Sequence, residues 1–106
     1  MDTEAYKLRI MPRAAVDLDS IFEYISNELA APVAAHNLME KIEASFLRLQ
    51  DMPESCPACQ DDILKQKGYR KLVVKNYIAL YTVNHADKTV TVMRVVHGRQ
   101  EYAPYV

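Results

Sequence analysis

Residues 68–83 read G-Y-R-K-L-V-V-K-N-Y-I-A-L-Y-T-V, and residues 89–102 read T-V-T-V-M-R-V-V-H-G-R-Q-E-Y. Each run is dense in β-branched and aromatic residues, and each is bounded by Gly, Asn or Asp. The spacing predicts strands over Tyr69–Val74, Tyr77–Val83 and Thr89–Val96, with turns at Lys75-Asn76 and at Asn84-His85-Ala86-Asp87. The middle strand is apolar nearly throughout and so belongs inside the sheet. Tyr77 and Tyr81 stand four apart and face the same side, as core residues do. Arg70, Lys71, Lys75, Arg94 and Arg99 are threaded through these strands, and apolar residues on one face with cations on the other would make a positively charged working surface.

Upstream, Tyr6–Met11 alternates as a half-buried strand, and Pro12 stops it and suits the first turn of a helix. Leu18, Ile21, Phe22, Ile25 and Leu29 form one helical stripe, with Asp17, Asp19, Glu23 and Glu28 largely outside it. Ala30-Ala31-Pro32 interrupts, and the stripe resumes at Ala35, Leu38, Met39, Ile42, Phe46 and Leu49. That is an αα-hairpin of two helices of about five turns each. Met52-Pro53 closes it, Pro53–Asp62 is a loop, and Ile63–Gly68 reads as the possible start of a strand. The element order gives an α+β fold: an N-terminal strand, then a helical hairpin packed on one face of a mainly antiparallel sheet, with one shared core.

At 106 residues, this is expected to be a single domain spanning 1–106. No stretch is apolar enough to span a membrane and the N-terminus lacks a leader pattern, so a cytoplasmic location is expected. The net charge of −1 hides an asymmetry: residues 1–62 carry 5 Lys+Arg against 12 Asp+Glu, and residues 63–106 carry 8 against 2. Either the two halves are merely solvated surfaces of opposite sign, or the basic half meets nucleic acid or an acidic protein segment.

Three groups of residues carry candidate chemistry. Cys56-Pro-Ala-Cys59 has redox or half-zinc spacing. It lies in a loop after a helix, however, and His36, His85 and His97 are scattered, so no metal site and no cofactor is expected. Two reduced thiols without a role are the plainer reading. His97-Gly-Arg99-Gln-Glu-Tyr102 follows the last strand; imidazole or phenol there could move a proton, and Arg99 could neutralise phosphorane charge. The plainer alternative is an exposed strand end. Of the basic set, Arg70 and Lys71 must point to opposite faces, and Arg94, amid apolar residues, can pair with Asp17 or Asp19.

With these motifs in their order, the chain resembles the RelE/ParE superfamily of bacterial toxins. The resemblance rests on the opening strand, the A-x-x-D-L-x-x-I-x-x-Y-I pattern ending at Ile25, the hairpin, Pro53 and the two C-terminal runs quoted above. It implies the toxin of a type II toxin–antitoxin (plasmid stabilisation) module, with a cognate antitoxin as partner in a hetero-oligomer. RelE-like members cut mRNA on the ribosome. By position, Arg70 matches one strand cation, Arg99 the late arginine, and Tyr102 or Tyr105 the late aromatic. Leu72 and Ile78, however, replace two further cations, leaving His97 as a substitute proton carrier. ParE-like members poison DNA gyrase, and their last strand commonly ends V-x-H-x-R, as Val95–Arg99 does here. The resemblance therefore favours a ParE-like gyrase poison, with Arg70, Lys71, Arg94 and Arg99 as target-binding residues. The alternatives are a RelE-like nuclease using His97, Arg99 and Tyr102, and a weak toxin that mainly binds its antitoxin.

Overall fold

The computed structural model describes residues 5–98. Strand β1 (Lys7–Ile10) leads into helix α1 (Pro12–Glu23), which passes through a π-helical turn (Tyr24–Glu28) before helix α2 (Pro32–Asp51). A short helix α3 (Asp62–Gln66) precedes strands β2 (Arg70–Val74), β3 (Tyr77–Asn84) and β4 (Thr89–His97). The strands lie in the order β1-β4-β3-β2; β1 runs parallel to β4 and the other pairs are antiparallel. This is the expected α+β arrangement.

Both helices of the hairpin start on a proline, where the missing N–H costs nothing. Ala35, Leu38, Ile42, Phe46 and Leu49 are the buried side of α2, and their spacing of three and four is the stripe read from the sequence. Leu38, Ile42, Phe46 and Leu49 pack on Leu72, Val74, Ala79, Tyr81, Val90, Val92 and Val95 of the sheet. Burying each large side chain is worth about 1.5–3 kcal/mol. Helix α1 is shallower. Only Ala14 is fully buried, and Leu18, Ile21 and Ile25 are partly so. Leu29, expected in the core stripe, is exposed instead. The π turn explains this: its wider bonds (Leu29 N–H to Tyr24 O, 3.1 Å; Ala31 N–H to Ile25 O, 3.0 Å) take the chain out of α-helical phase.

Ile63–Gly68 is not a strand. Asp61 accepts hydrogen bonds from the Ile63 and Leu64 N–H groups (2.9 and 3.1 Å) and caps α3. Gly68, at φ 80°, ends it: its N–H bonds Lys65 O and the Tyr69 N–H bonds Leu64 O, both at 3.0 Å. Leu64 and Tyr69 then join Cys59, Ile78, Leu80 and Val96 in a second apolar cluster. The sheet thus has a core on each side rather than one apolar and one cationic face. The reason is the continuous apolar run of β3, which has to be covered on both sides.

Strand β4 carries a bulge. Tyr81 pairs with Val92 but Leu80 pairs with Arg94, leaving Met93 as the extra residue. That shift lets Val92 and Val95, three apart, share the helix-side core. Beyond the bulge, β4 outruns β1, because Pro12 has already turned the chain into α1. Asp17 of α1 covers the bare edge. It accepts the Val95 N–H at 2.9 Å and holds the Arg94 guanidinium with two bonds, Nε–Oδ2 at 2.7 Å and Nη2–Oδ1 at 3.0 Å. The pairing expected of Arg94 is therefore made, with Asp17.

Candidate functional site

The hairpin and the sheet diverge at one end, leaving an open groove of about 940 Å³. Its walls are Ile21, Tyr24, Ile25 and Leu29 from α1 and the π turn, Leu38 and Lys41 from α2, Lys75-Asn76-Tyr77 from the β2–β3 turn, and Val95, Val96 and His97 from β4. The floor is apolar, and two lysines, two asparagines and the imidazole lie among its lining. The His97 ring meets the Tyr77 ring edge-on, with centroids 5.3 Å apart. Burial, with a smaller contribution from Tyr24, pushes the Tyr77 hydroxyl above the usual phenol range. Lys75 holds a left-handed φ of 55° at the turn, which fixes where its side chain leaves the sheet. Gly98 follows His97; its N–H bonds Asn76 O at 2.7 Å, and a Cβ there would lie 3.2 Å from that oxygen. The close backbone approach at Gly98 is thus made by the chain's own turn.

The cations read from the sequence do not gather here. Arg70 lies on the helix side, where Nη1 donates to Cys56 O at 2.5 Å and Nη2 reaches Glu54 Oε2 at 3.4 Å. It pairs with Tyr81, four residues along β3 from the Tyr77 that pairs with His97. At about 3.4 Å per residue the two ends are separated by roughly 14 Å of strand. Lys71 is on the opposite face, near enough to Cys59 to offset part of the rise that burial gives its thiol pKa. Arg94 is committed to Asp17. Arg99, Tyr102 and Tyr105 lie outside the described residues. Of His97, Arg70, Lys71 and Arg94, the members of the proposed set among the described residues, His97 alone lines the groove. Tyr24 and Lys41, which do line it, belong to helices whose apolar stripes gave no reason to single them out.

A second polar cluster forms at the other end of the molecule. The Tyr6 hydroxyl is 2.6 Å from His85 Nδ1, and His85 Nε2 is 3.1 Å from Glu54 Oε2, which also meets Arg70. The His85 hydrogen bond and charge, then Arg70, hold the Glu54 carboxyl below its usual range. The cysteines are free and separate: Cys56 packs against the helix-side core, while Cys59 is buried in the opposite cluster, where desolvation pushes its thiol pKa up. Among the described residues no three His, Cys, Asp or Glu side chains are placed to hold a metal ion. No helix there is long and apolar enough to cross a membrane.

Residues 8–102 match the family model described as the ParE toxin of the type II toxin–antitoxin system parDE. The chain belongs to the ParE toxin family. Two solved structures share the fold of this ParE-family chain. One is titled as a chromosomal ParDE toxin–antitoxin system from P. aeruginosa (21% identity, 90% of this chain and 98% of that one, TM-score 0.71). The other is the RelBE2 toxin–antitoxin complex from Mycobacterium tuberculosis (21% identity, 88% and 98%, TM-score 0.62). No curated protein sequence matches significantly.

Proposed function

We propose that this ParE-family toxin acts by binding DNA gyrase, and that a cognate antitoxin holds it inactive by occupying the groove between hairpin and sheet. The observation that carries the first part is the burial of Leu72 and Ile78. These are the positions where the RelE-type pattern has a lysine and an arginine. Here they are 6% and 7% exposed and lie in the two cores, one on each side of the sheet. A cation at either position would have to be desolvated without a partner. With Arg70 tied to the Cys56–Glu54 loop and Arg94 to Asp17, neither arginine stands beside His97. A poison that works by binding needs only a complementary surface, and the groove end lined by Lys41, Lys75 and His97 offers one.

The antitoxin reading rests on the groove itself. Tyr24 and Leu29 are more than half exposed at its lip, above Ile21 and Ile25, so an apolar surface is left to be covered. Both structural neighbours were solved as toxin–antitoxin systems. An amphipathic helix with acidic flanks suits an apolar floor bordered by Lys41 and Lys75.

A second reading, ribosome-dependent mRNA cleavage, is favoured by one feature: His97 stands against Tyr77 with Lys75 lining the same groove, a possible proton carrier beside a cation. The two readings separate in vitro. The purified chain added to gyrase and relaxed plasmid is expected to block supercoiling and accumulate cleaved DNA. Unimpaired supercoiling, together with cut mRNA in a translating extract, establishes the second reading instead.

A further inference from the structure

The contacts among Glu54, His85 and Tyr6, at the far end from the groove, have a direction. Glu54 is held as a carboxylate, chiefly by His85, and a carboxylate only accepts. Its contact with His85 Nε2 at 3.1 Å therefore puts the N–H on that nitrogen. In the neutral imidazole the lone pair then lies on Nδ1, 2.6 Å from the Tyr6 hydroxyl, which has to donate to it. A hydroxyl bonded to a base whose other nitrogen is oriented by a carboxylate is the arrangement that activates nucleophiles.

Three separate parts of the chain supply the three groups, and each group has supports of its own. Tyr6 stands just ahead of β1, where its N–H donates to Gln50 O and its C=O accepts from Gln50 Nε2, both at 2.8 Å. His85 belongs to the β3–β4 turn, which is closed by Asp87 N–H to Asn84 Oδ1 (3.0 Å) and Thr89 Oγ1 to Asp87 O (3.2 Å). Glu54 is met by Arg70, itself anchored on Cys56 O. The Tyr6 and His85 rings also meet edge-on, with centroids 5.7 Å apart. A clamp between β1 and the turn needs only that the groups touch, whereas a working relay needs each of them held in place. The relay is also reachable, since the His85 and Glu54 side chains are 55% and 53% exposed.

We infer that Tyr6 is a nucleophile that takes an acyl group from small activated acyl donors, such as aryl esters or acyl phosphates, with His85 as its base and Glu54 as the residue that positions His85. In the step, Tyr6 Oη forms a bond to the carbonyl carbon while its proton passes to His85 Nδ1. The bond from that carbon to the leaving group breaks, the electron pair departs with the leaving group, and His85 returns the proton to it or to water. Nothing is oxidised or reduced. An acyl donor suits the site better than a phosphoryl donor, because a carbonyl brings no charge to be neutralised and Arg70 is already engaged with Glu54 and Cys56. The product ester has no proton to give His85, so acylation also unties the β3–β4 turn from Tyr6. The site shares no residue with the lining of the groove, and the inference stands apart from the gyrase and antitoxin readings.

The test treats the full chain with p-nitrophenyl acetate at mildly alkaline pH and follows acetylation of each tyrosine by peptide mass spectrometry. Tyr24 is the internal control: it is 53% exposed, and its hydroxyl makes no hydrogen bond among the described residues. Exposure alone would make Tyr24 react at least as fast as the half-buried Tyr6. The expected result is that Tyr6 reacts about tenfold faster than Tyr24, short of the roughly hundredfold gain of an enclosed site because the relay is open to water. Hydroxylamine is expected to remove the label, as it does from an aryl ester. His85→Gln keeps a hydrogen-bonding side chain but no base, and is expected to bring Tyr6 down to the rate of Tyr24 while Tyr24 is unchanged. For Glu54, the 15N shifts of the His85 ring are expected to show the Nε2–H tautomer in the native chain and a mixture in Glu54→Gln, with the Tyr6 rate falling alongside. In urea, with the chain unfolded, Tyr6 is expected to lose its lead, which decides the matter should His85→Gln fail to fold. The inference is overturned if Tyr6 reacts no faster than Tyr24, if its rate survives His85→Gln, or if its lead persists in urea.

Discussion

At the scale of single residues, Asp17 does the most structural work. It closes the β4 edge left bare where Pro12 ends β1, and it neutralises Arg94, both side chains being 15% exposed. Asp17→Asn keeps the shape but leaves the guanidinium without its counter-charge. It is expected to destabilise the fold by about 3 kcal/mol in urea unfolding; a loss under about 0.5 kcal/mol, the range of an ordinary surface substitution, would mean that water replaces the pair. Glu54 is the second residue whose role is measurable. Its folded pKa is depressed, so its contribution is present above the ordinary carboxylate pKa of 4.5 and disappears as pH falls through the lower folded value. Glu54→Gln is therefore expected to flatten the stability–pH curve below about pH 4.5. Equal acid sensitivity in the two proteins would remove Glu54 from the account.

At the scale of elements, the π turn and its exit set the mouth of the groove. Ala30 ends this turn at φ 51°, a left-handed conformation that costs a Cβ-bearing residue about 1 kcal/mol. Ala30→Gly is expected to raise unfolding stability by up to that amount without moving Tyr24 or Leu29. A loss of stability would show that the Ala30 methyl group is needed there. The hairpin and the β2–β3–β4 strands were legible because their periods are long and regular: the α2 stripe appears in the structure with Met39 alone only partly buried. What was not legible was local phase. T-V-T-V-M-R-V-V alternates to Val92 and resumes out of step at Val95, which is the signature of the Met93 bulge. Asp61 and Gly68 are the cap and stop signals of α3, but five residues are too few for a helical period to show.

At the scale of the whole molecule, the charge asymmetry and the site separate. Arg70, Lys71, Lys75 and Arg94 do not form one surface: Arg70 ties a loop, Arg94 ties a helix, Lys71 faces α3, and Lys75 lines the groove end. Strand alternation could place Arg70 and Lys71 on opposite faces, but not foresee which one the loop would claim. The groove was invisible in the sequence because it is a gap between the π turn and the sheet, made by where the hairpin diverges rather than by any motif. Tyr24 and Lys41 enter it from helix positions that look merely amphipathic. What the sequence did carry was the pair of aliphatic residues, Leu72 and Ile78, and their burial in separate cores argues against a nuclease centre on this sheet.

The proposed action of this toxin is on DNA topology rather than on translation. It is tested most directly by inducing the chain without an antitoxin in bacteria and following labelled thymidine and methionine incorporation together from the first minutes. Thymidine incorporation is expected to fail first while methionine incorporation continues. Methionine incorporation failing first would contradict it, and would mean that mRNA is cut without cations at positions 72 and 78.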